Sequence, residues 1–422
     1  MQIKASFKYI CFAILFAISI NTFAQNNSII LPIGKSEKWV KKATHTQPGA
    51  YQLKKYLPLL KGKRVGVFAN PTSVIGHTHL VDSLQHLGIQ ITKIFGPEHG
   101  FRGTADAGAH VESFVDQATG IKVISLYGKK SHPSKEDLAD VDILLFDLQD
   151  VGLRFYTYIL SLQNFMESAI DNRKPLIILD RPNPNGFYVD GPVLDTAYKS
   201  GVGPQPIPVV YGMTIGEYAK MVLGEKWLHT KYAYMRQDDP LITIIPCKHY
   251  NHKYLYQLPV APSPNLKSMN AIYWYASTCF FEGTNLSEGR GTSNPFLYVG
   301  GPDLPKNLFQ FEPKSQNGAL DPKCKDQICY GWDLTRQPSP SKIDLSYIKN
   351  AYDLTKDKST FFLQPKDSTK PENYFFNKLA GNQELRMQII QQRPLDEIYA
   401  SWESSIQNFK TIRKKYLLYK DF

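Results

Sequence analysis

The stretch RVGVFANPTSV, residues 64–74, decides the fold of this chain. Its first six residues form a Val-rich apolar run that is too short for a helix, which predicts a β-strand buried on both faces. Turn-forming polar residues follow at once, beginning with Asn70 and Pro71. Four further runs of the same kind occupy residues 90–95, 123–126, 142–147 and 176–179.

Stretches of helical periodicity separate these five runs, and such alternation is typical of a parallel sheet with helices on both faces. We therefore predict an α/β fold, with a Rossmann-like doubly wound parallel sheet in residues 25–225. Beyond residue 225 the alternation weakens and Pro and aromatic residues become more frequent. Residues 226–422 are expected to form a second, smaller α+β domain that closes the active-site cleft, with residues 305–342 as a long surface excursion.

The N-terminus has the composition of a secretory signal peptide. Lys4 and Lys8 precede an apolar run over residues 9–20, and small residues end the segment at residues 22–24. The apolar run is shorter than the roughly 20 residues that span a bilayer. We expect residues 1–24 to be removed and the protein to be exported, periplasmic or secreted, without stable insertion in the membrane.

The composition favours an anionic partner, since 49 Lys and Arg against 38 Asp and Glu give a net charge of +11. On charge alone, an envelope polymer that carries carboxylates fits as well as a nucleic acid. The four cysteines after the signal are interpreted as structural. Cys324 and Cys329 have a spacing that could close a small disulfide in an oxidising compartment.

Several classes of chemistry lack their motifs. Residues 69–72, after the first strand, contain no Gly-rich dinucleotide turn, and the chain has no phosphate-binding P-loop and no G-x-S-x-G nucleophile motif. No H-E-x-x-H or comparable pair of histidines is present. We predict an enzyme without cofactor or metal.

Glu98 is the first candidate for a catalytic group. Ligands of open parallel sheets bind beyond the carboxyl ends of the strands, and Glu98 follows the second strand between Pro97 and His99. A fixed, partly desolvated carboxyl suits a general acid, because burial raises its pKa. The alternative is a helix-terminal carboxylate or an ion-pair partner of Arg102.

The densest polar motif of the second half is FEGTNLSEGRGT, residues 281–292. Its glycines allow sharp turns, and Asn285, Glu288 and Arg290 can project from a tight loop. If this loop faces Glu98, the two glutamates form the carboxyl pair of a glycosidase, with about 5 Å between them for retention and roughly 6.5–9.5 Å for inversion. Alternatively, Glu288 and Arg290 only hold the loop together.

The fourth and fifth strands deliver further candidates. Asp150 is a rival for the second carboxylate, and Arg154 and Tyr156 follow it. The fork of an arginine is shaped to hold a carboxylate through two hydrogen bonds. Asn183 lies in a loop that two prolines restrict. Asp and Arg residues at strand ends often only cap helices, so this reading also stays open.

Eight collinear segments resemble the NamZ-like exo-β-N-acetylmuramidase family. They are RVGVFANPTSV (64–74), FGPEHGFRGTADAG (95–108), FDLQDVGLRFYTYI (146–159), LDRPNPNG (179–186), VDGP (189–192), IPVVYGMTIGEYAKM (207–221), PSPNL (262–266) and FEGTNLSEGRGTSNPF (281–296). The resemblance covers roughly residues 35–422. It implies an enzyme that removes terminal N-acetylmuramic acid from the non-reducing end of peptidoglycan fragments, with its active site in a cleft between two domains.

The resemblance also bears on individual residues. Those that match its motifs are Glu98, His99, Asp150, Arg154, Asn183, Asn285, Glu288 and Arg290. Our hypothesis makes Glu98 the general acid/base and Glu288 or Asp150 the second carboxylate. The lactyl carboxylate would be held by Arg102, Arg154 and Arg290, and the rest of the sugar would be bound by His99, Tyr156, Asn183 and Asn285.

The expected partners are muramic-acid saccharides derived from peptidoglycan, and not nucleic acid. Two other classes remain: a non-catalytic envelope protein that binds murein, and a cell-wall esterase or amidase. The sequence leaves the oligomeric state open.

Overall fold

A computed structural model describes residues 41–42, 45–102, 112–231 and 241–422. The predicted signal peptide lies outside these residues. The strands are β1 (Lys41–Lys42), β2 (Val65–Ala69), β3 (Val74–Ile75), β4 (Thr78–His79), β5 (Ile91–Gly96), β6 (Phe114–Val115), β7 (Lys122–Ser125), β8 (Ile143–Asp147), β9 (Leu176–Leu179), β10 (Asp190–Val193), β11 (Pro208–Val210), β12 (Ile242–Ile245), β13 (Tyr254–Leu255), β14 (Tyr298–Gly301), β15 (Phe309–Phe311) and β16 (Cys329–Asp333).

The helices pack around these strands, and several short 3-10 turns join them. They are α1 (Leu53–Leu60), α2 (Leu80–His86), α3 (Tyr158–Asp171), α4 (Ile215–Gly224), α5 (Met269–Thr278), α6 (Ser346–Leu354), α7 (Phe375–Ala380), α8 (Glu384–Ile390), α9 (Leu395–Ala400) and α10 (Glu403–Arg413). In the described part of the chain, no helix is long and apolar enough to cross a membrane.

The main sheet has seven strands in the order β12-β9-β8-β2-β5-β7-β6. All neighbours pair in parallel except β6, which runs antiparallel to β7 at the edge. The six parallel strands follow the doubly wound Rossmann order. In this order the first three strands extend the sheet to one side and the next three extend it to the other, so the strand order reverses between the first and fourth strands. The predicted α/β class is therefore confirmed, and each of the five predicted strands lies within one residue of its observed position.

The apolar strand residues are buried on both faces of this sheet. In β2, Val65, Val67 and Ala69 belong to one hydrophobic cluster, together with residues of α1 and α2. Phe68 belongs to the other, which includes residues of α3, α4 and α5. Successive side chains of a strand point to opposite faces, so a continuous apolar run supplies both clusters.

The main sheet continues beyond residue 225, where we predicted the domain boundary. β12 (Ile242–Ile245), which we had assigned to the second domain, pairs with β9 as the outermost parallel strand of the main sheet. The short, isolated run gave no sign of this, because strand pairing depends on residues distant in the chain.

The second half adds a three-stranded antiparallel sheet in the order β14-β16-β15 and the helices α6 to α10. Two of its strands lie within residues 305–342, so this segment is more than the surface excursion that its composition predicted. The chain end returns to the first domain, where Arg413 donates to the carbonyl oxygen of Gly212 and Tyr419 to the carboxyl of Asp180. Both halves thus share one core.

Candidate active site

An open pocket of about 450 Å³ lies beyond the carboxyl ends of the parallel strands. It includes residues that follow β5 and β8, and β8 adjoins β2 where the strand order reverses. This is the position where open parallel sheets bind ligands. The pocket is lined by Glu98, His99, Phe155, Tyr156, Thr157, Tyr158, Ser263, Asn265, Leu266, Tyr275, Arg290 and Phe296.

Glu98 enters the pocket from a tight turn after β5. The amide of Gly100 donates to the carbonyl oxygen of Pro97 at 2.9 Å, and His99 adopts a φ of 68°. Positive φ is costly for a residue with a Cβ, and such strain often occurs at functional sites. The turn holds Glu98 half-buried and His99 buried at the pocket wall.

Two hydroxyl groups hold the carboxyl of Glu98. Oγ1 of Thr157, just before α3, donates to Oε2 of Glu98 at 3.2 Å. Tyr127 also bonds to Glu98, and burial, together with the carboxylate charge, raises the pKa of Tyr127 to about 12. Loops that follow β5, β7 and β8 therefore converge on one carboxyl group.

Aromatic side chains form much of the pocket wall. The hydroxyl of Tyr156 donates to the carbonyl oxygen of Pro262 at 2.7 Å, and its ring packs edge-on against Tyr158 at 4.8 Å between centroids. The hydroxyl of Tyr158 accepts a hydrogen bond of 2.7 Å from Asn70, which directly follows β2. The pocket floor is thereby anchored to the first strand of the sheet.

Arg290 brings positive charge to the same pocket from the second half of the chain. Its guanidinium group forms ion pairs with Glu288 at 3.0 Å and with Glu282 at 2.9 Å, and it lies 4.8 Å from the ring centre of Phe296. Gly289 and Gly291, on either side, both have a φ of 81°. Left-handed backbone favours glycine, so these two residues allow the loop to present Arg290.

Glu288 pairs with this arginine and does not line the pocket. Its side chain is 3% exposed and also pairs with Lys323 at 3.0 Å. Burial alone raises the pKa of Glu288, but the charges of Lys323 and Arg290 outweigh it and hold the pKa well below its usual range. The structure therefore does not place Glu288 opposite Glu98 as predicted, and it agrees with the alternative in which Glu288 and Arg290 hold the loop together.

Asp150, the rival candidate, is also outside the pocket lining. It is 5% exposed and accepts hydrogen bonds from the amide of Gly152 at 2.6 Å and from the hydroxyl of Tyr211. Burial raises the pKa of Asp150 to about 7, although these two donors oppose the shift. Its surroundings are those of a buried structural carboxyl.

Two of the three predicted carboxylate-binding arginines have other partners. Arg154 is fully buried and donates to the carbonyl oxygens of Pro192, Ile207 and Leu379, which fastens the first domain to α7. Arg102 pairs with Asp116 at 2.8 Å outside the pocket. A guanidinium group satisfies carbonyl oxygens as well as carboxylates, and the sequence does not show which of the two Arg154 will meet.

Neither of the two predicted asparagines lines the pocket. Asn183 is buried, and its Nδ2 donates to the carbonyl oxygen of Met213 at 2.8 Å. Asn285 is half-buried with its Nδ2 3.5 Å from Oγ1 of Thr360, and it does not line the pocket. Glu98, His99, Tyr156 and Arg290 are thus the predicted site residues that the structure brings together.

The sequence reasoning missed pocket residues from two segments. Thr157 and Tyr158 follow Tyr156, and Ser263 and Asn265 belong to the PSPNL segment, to which we assigned no role. Nδ2 of Asn265 donates to the carbonyl oxygen of Gly318 at 2.7 Å, which orients its amide. The available signal was the clustering of polar and aromatic residues in motifs that already supported the family resemblance.

The two cysteines whose spacing could close a disulfide are reduced in this structure. Cys324 and Cys329 both have free thiols, and so do the buried Cys247 and Cys279.

A doubly wound sheet with a carboxyl, a guanidinium group and several aromatic rings around one pocket defines an α/β protein with a site suited to a polar, anionic small molecule. The chain belongs to the NamZ exo-β-N-acetylmuramidase family. Residues 65–270 match the N-terminal domain of exo-beta-N-acetylmuramidase NamZ, and residues 273–419 match its C-terminal domain. This division also lies well beyond the predicted boundary at residue 225.

Known proteins agree with this assignment. The chain is 38% identical over 388 residues to the peptidoglycan beta-N-acetylmuramidase NamZ of Bacillus subtilis (strain 168), covering 86% of this chain and 89% of that protein. A crystal structure of a DUF1343 family protein from Bacteroides fragilis NCTC 9343 has a TM-score of 0.78 at 41% identity and covers 90% of this chain and 100% of its own. A second DUF1343 structure from that organism has a TM-score of 0.73 at 27% identity, over 89% and 99% of the two chains.

Proposed function

We propose that this chain is an exo-acting glycoside hydrolase that releases terminal N-acetylmuramic acid from the non-reducing end of peptidoglycan fragments. The observation that carries the proposal is a pocket that joins Glu98, on the Rossmann-like domain, to Arg290, on the second half of the chain. The muramidase from Bacillus subtilis, similar over most of its length, supports the same reaction.

Glu98 is the proposed general acid/base. Cleavage of a glycosidic bond requires a proton on the leaving oxygen, and a positioned carboxyl group supplies it. Hydrogen bonds from Thr157 and Tyr127 fix Glu98, which stays half-buried at the pocket surface. A fixed carboxyl loses little freedom when the substrate arrives, which favours proton transfer.

Arg290 is the proposed partner of the lactyl carboxylate. Its guanidinium group lines the pocket, and the two flanking glutamates prevent it from turning away. Charge-assisted hydrogen bonds to a carboxylate are stronger than neutral ones and have a defined direction. This contact would distinguish muramic acid from an N-acetylhexosamine that lacks the lactyl group.

Further polar groups complete the proposed binding site. His99, Tyr156, Ser263 and Asn265 surround the space between Glu98 and Arg290 and can form hydrogen bonds with sugar hydroxyls or the acetamido group. The aromatic rings of the wall offer apolar surfaces to the C–H faces of a pyranose ring.

The test is the release of sugar by purified protein from a chromogenic N-acetylmuramic acid glycoside. We expect turnover by the wild type and a loss of at least about 100-fold in Glu98→Gln, the range of general acid catalysis. Glu136→Gln, which changes an exposed glutamate on a turn, is the matched control and should leave turnover unchanged. Near-normal turnover by folded Glu98→Gln would remove Glu98 from the mechanism.

The same assay separates the other classes. A murein-binding protein would bind the glycan and release no sugar, whereas an esterase or amidase would cleave acetylated or peptide-bearing controls and leave the glycosidic bond intact. Either result would contradict the proposed glycosidase activity.

We also propose that the protein acts outside the cytoplasmic membrane, in the periplasm or the medium. The basic, apolar and small-residue segments of residues 1–24 support this. N-terminal sequencing of the protein from cell fractions should give a start near Gln25. An intact Met1 in the cytoplasmic fraction would contradict export.

A further inference from the structure

A second concave surface, the aromatic groove, lies beside the active-site pocket. It has a volume of about 690 Å³ and is lined by Gly291, Thr292, Ser293, Tyr298, Phe309, Gln310, Phe311, Glu312, Lys314 and Gln316. Its centre is apolar and its rim carries amide and charged side chains. The proposed reaction at the terminal sugar does not use it.

Three aromatic rings form the centre of this groove. Phe309 and Phe311 lie on the same face of β15 with an angle of 19° between their planes, and the ring of Tyr298 lies 4.9 Å from that of Phe309. Phe309 is 37% exposed although it has two aromatic neighbours. Tyr298 is half-buried and Phe311 is buried, so the groove presents mainly the ring of Phe309 to solvent, with the other two rings packed against it.

Glycines in the small sheet allow this arrangement. Gly331 of the central strand β16 is paired with both Gly300 and Phe309. A Cβ atom at Gly331 would meet the carbonyl oxygen of Val299 at 1.9 Å. Because no side chain stands between β14 and β15 at this position, the ring of Tyr298 reaches that of Phe309 across the sheet.

One loop forms the wall between the groove and the active-site pocket. Arg290 and Phe296 line the pocket, while Gly291, Thr292 and Tyr298 line the groove. Adjacent Cα atoms are about 3.8 Å apart, so the two surfaces are separated by little more than the thickness of this loop.

Hydrogen bonds hold this wall in place. The amide of Lys314 donates to the carbonyl oxygen of Gly291 at 2.9 Å, and Nε2 of Gln316 donates to that of Thr292 at 2.8 Å. These bonds connect the loop that carries Arg290 to the segment that lines the groove, so we expect the groove to keep its shape without a ligand.

We propose that the aromatic groove is a second saccharide-binding surface, which holds sugars of the glycan fragment beyond the terminal residue that is released. Flat rings with a polar rim suit pyranose rings, which present C–H faces and equatorial hydroxyls. A protein partner requires roughly 800 Å² on each side, far more than three partly buried rings expose. The inference rests on the proposed glycosidase activity, because that activity places a glycan at the neighbouring pocket.

The test compares a short and a long substrate in the full-length mature protein. An aryl N-acetylmuramic acid glycoside occupies the pocket alone, whereas a muramic-acid-terminated oligosaccharide of four or more sugars also reaches the groove. Phe309→Ala should lower kcat/KM on the oligosaccharide by about 3- to 10-fold, the range of one aromatic contact, and leave kcat/KM on the aryl glycoside unchanged. Phe309→Tyr keeps an aromatic ring and should retain the wild-type kcat/KM on the oligosaccharide.

Phe114→Ala is the matched control, since it removes a phenylalanine of similar exposure, 40%, from the edge strand β6 of the main sheet. It should leave both substrates unaffected. Equal rates of Phe309→Ala and wild type on the oligosaccharide, or an equal loss on both substrates, would overturn the groove proposal. Absence of wild-type turnover on the aryl glycoside would instead refute the proposed function. In that case the groove proposal is tested by binding alone. The affinity for the oligosaccharide is compared between Glu98→Gln and Glu98→Gln with Phe309→Ala, and equal affinities would overturn the groove proposal.

Discussion

The hydroxyl of Thr157 lies 3.2 Å from Oε2 of Glu98 and joins the loops that follow two parallel strands of the main sheet. Thr157 stands at the N-cap position of α3 but makes no side-chain capping bond. Its hydroxyl bonds to the carboxyl group of Glu98 and does not cap the helix. Thr157 is therefore a positioning residue for the proposed general acid.

Replacement of Thr157 by Val should lower kcat about 3- to 10-fold, the effect of losing one hydrogen bond of about 1 kcal/mol, with little change in KM. Thr157→Ser keeps the donor and should retain most of the activity. Steady-state kinetics on the aryl glycoside separate the two constants. A similar loss in both variants would contradict this role, because Thr157→Ser keeps the hydroxyl group that bonds to Glu98.

Selectivity for the lactyl group should depend on Arg290. Arg290→Lys keeps the positive charge for Glu282 and Glu288 but loses the guanidinium fork, so the preference for a muramic acid glycoside over the N-acetylglucosamine glycoside should fall by about 10-fold or more. The measurement is the ratio of the two kcat/KM values. Arg102→Lys, outside the pocket, is the control, and an unchanged ratio in Arg290→Lys would exclude the proposed contact.

The buried carboxyl of Asp150 predicts a pH dependence of stability. Burial raises its pKa to about 7 in the folded protein, above the ordinary aspartate value of 3.8. The folded state therefore binds the proton more tightly, so the stabilisation from Asp150 is complete below about pH 4 and is lost as the pH rises through 7. At about 1.4 kcal/mol per pKa unit, the loss is about 4 kcal/mol at most.

Asp150→Asn removes this titration and should gain stability relative to the wild type as the pH rises from 4 to 8. Denaturant unfolding of both proteins across that range gives the difference in the free energy of unfolding, from which titrations common to both cancel. A difference that stays constant with pH would show that Asp150 keeps an ordinary pKa.

The sheet could be predicted because its signal is local. A run such as residues 64–69 is apolar at every position, which identifies a parallel strand without knowledge of its neighbours. β12 shows the limit of this approach, since residues 242–245 form a strand of the same sheet after a long interval, and only their pairing with β9 reveals it.

The polar loops at the strand ends were also determined by the sequence, and Glu98, His99 and Tyr156 were found in this way. Arg290 was found in the glycine-rich motif of residues 281–292. Which of the candidate side chains face the pocket was decided by the tertiary structure alone. Arg154 and Arg290 both follow glycine-containing motifs, yet one meets backbone carbonyl oxygens and the other lines the pocket beside two glutamates. A side chain goes where its charge and hydrogen-bonding groups find partners, and those partners come from segments such as α7 that are distant in sequence.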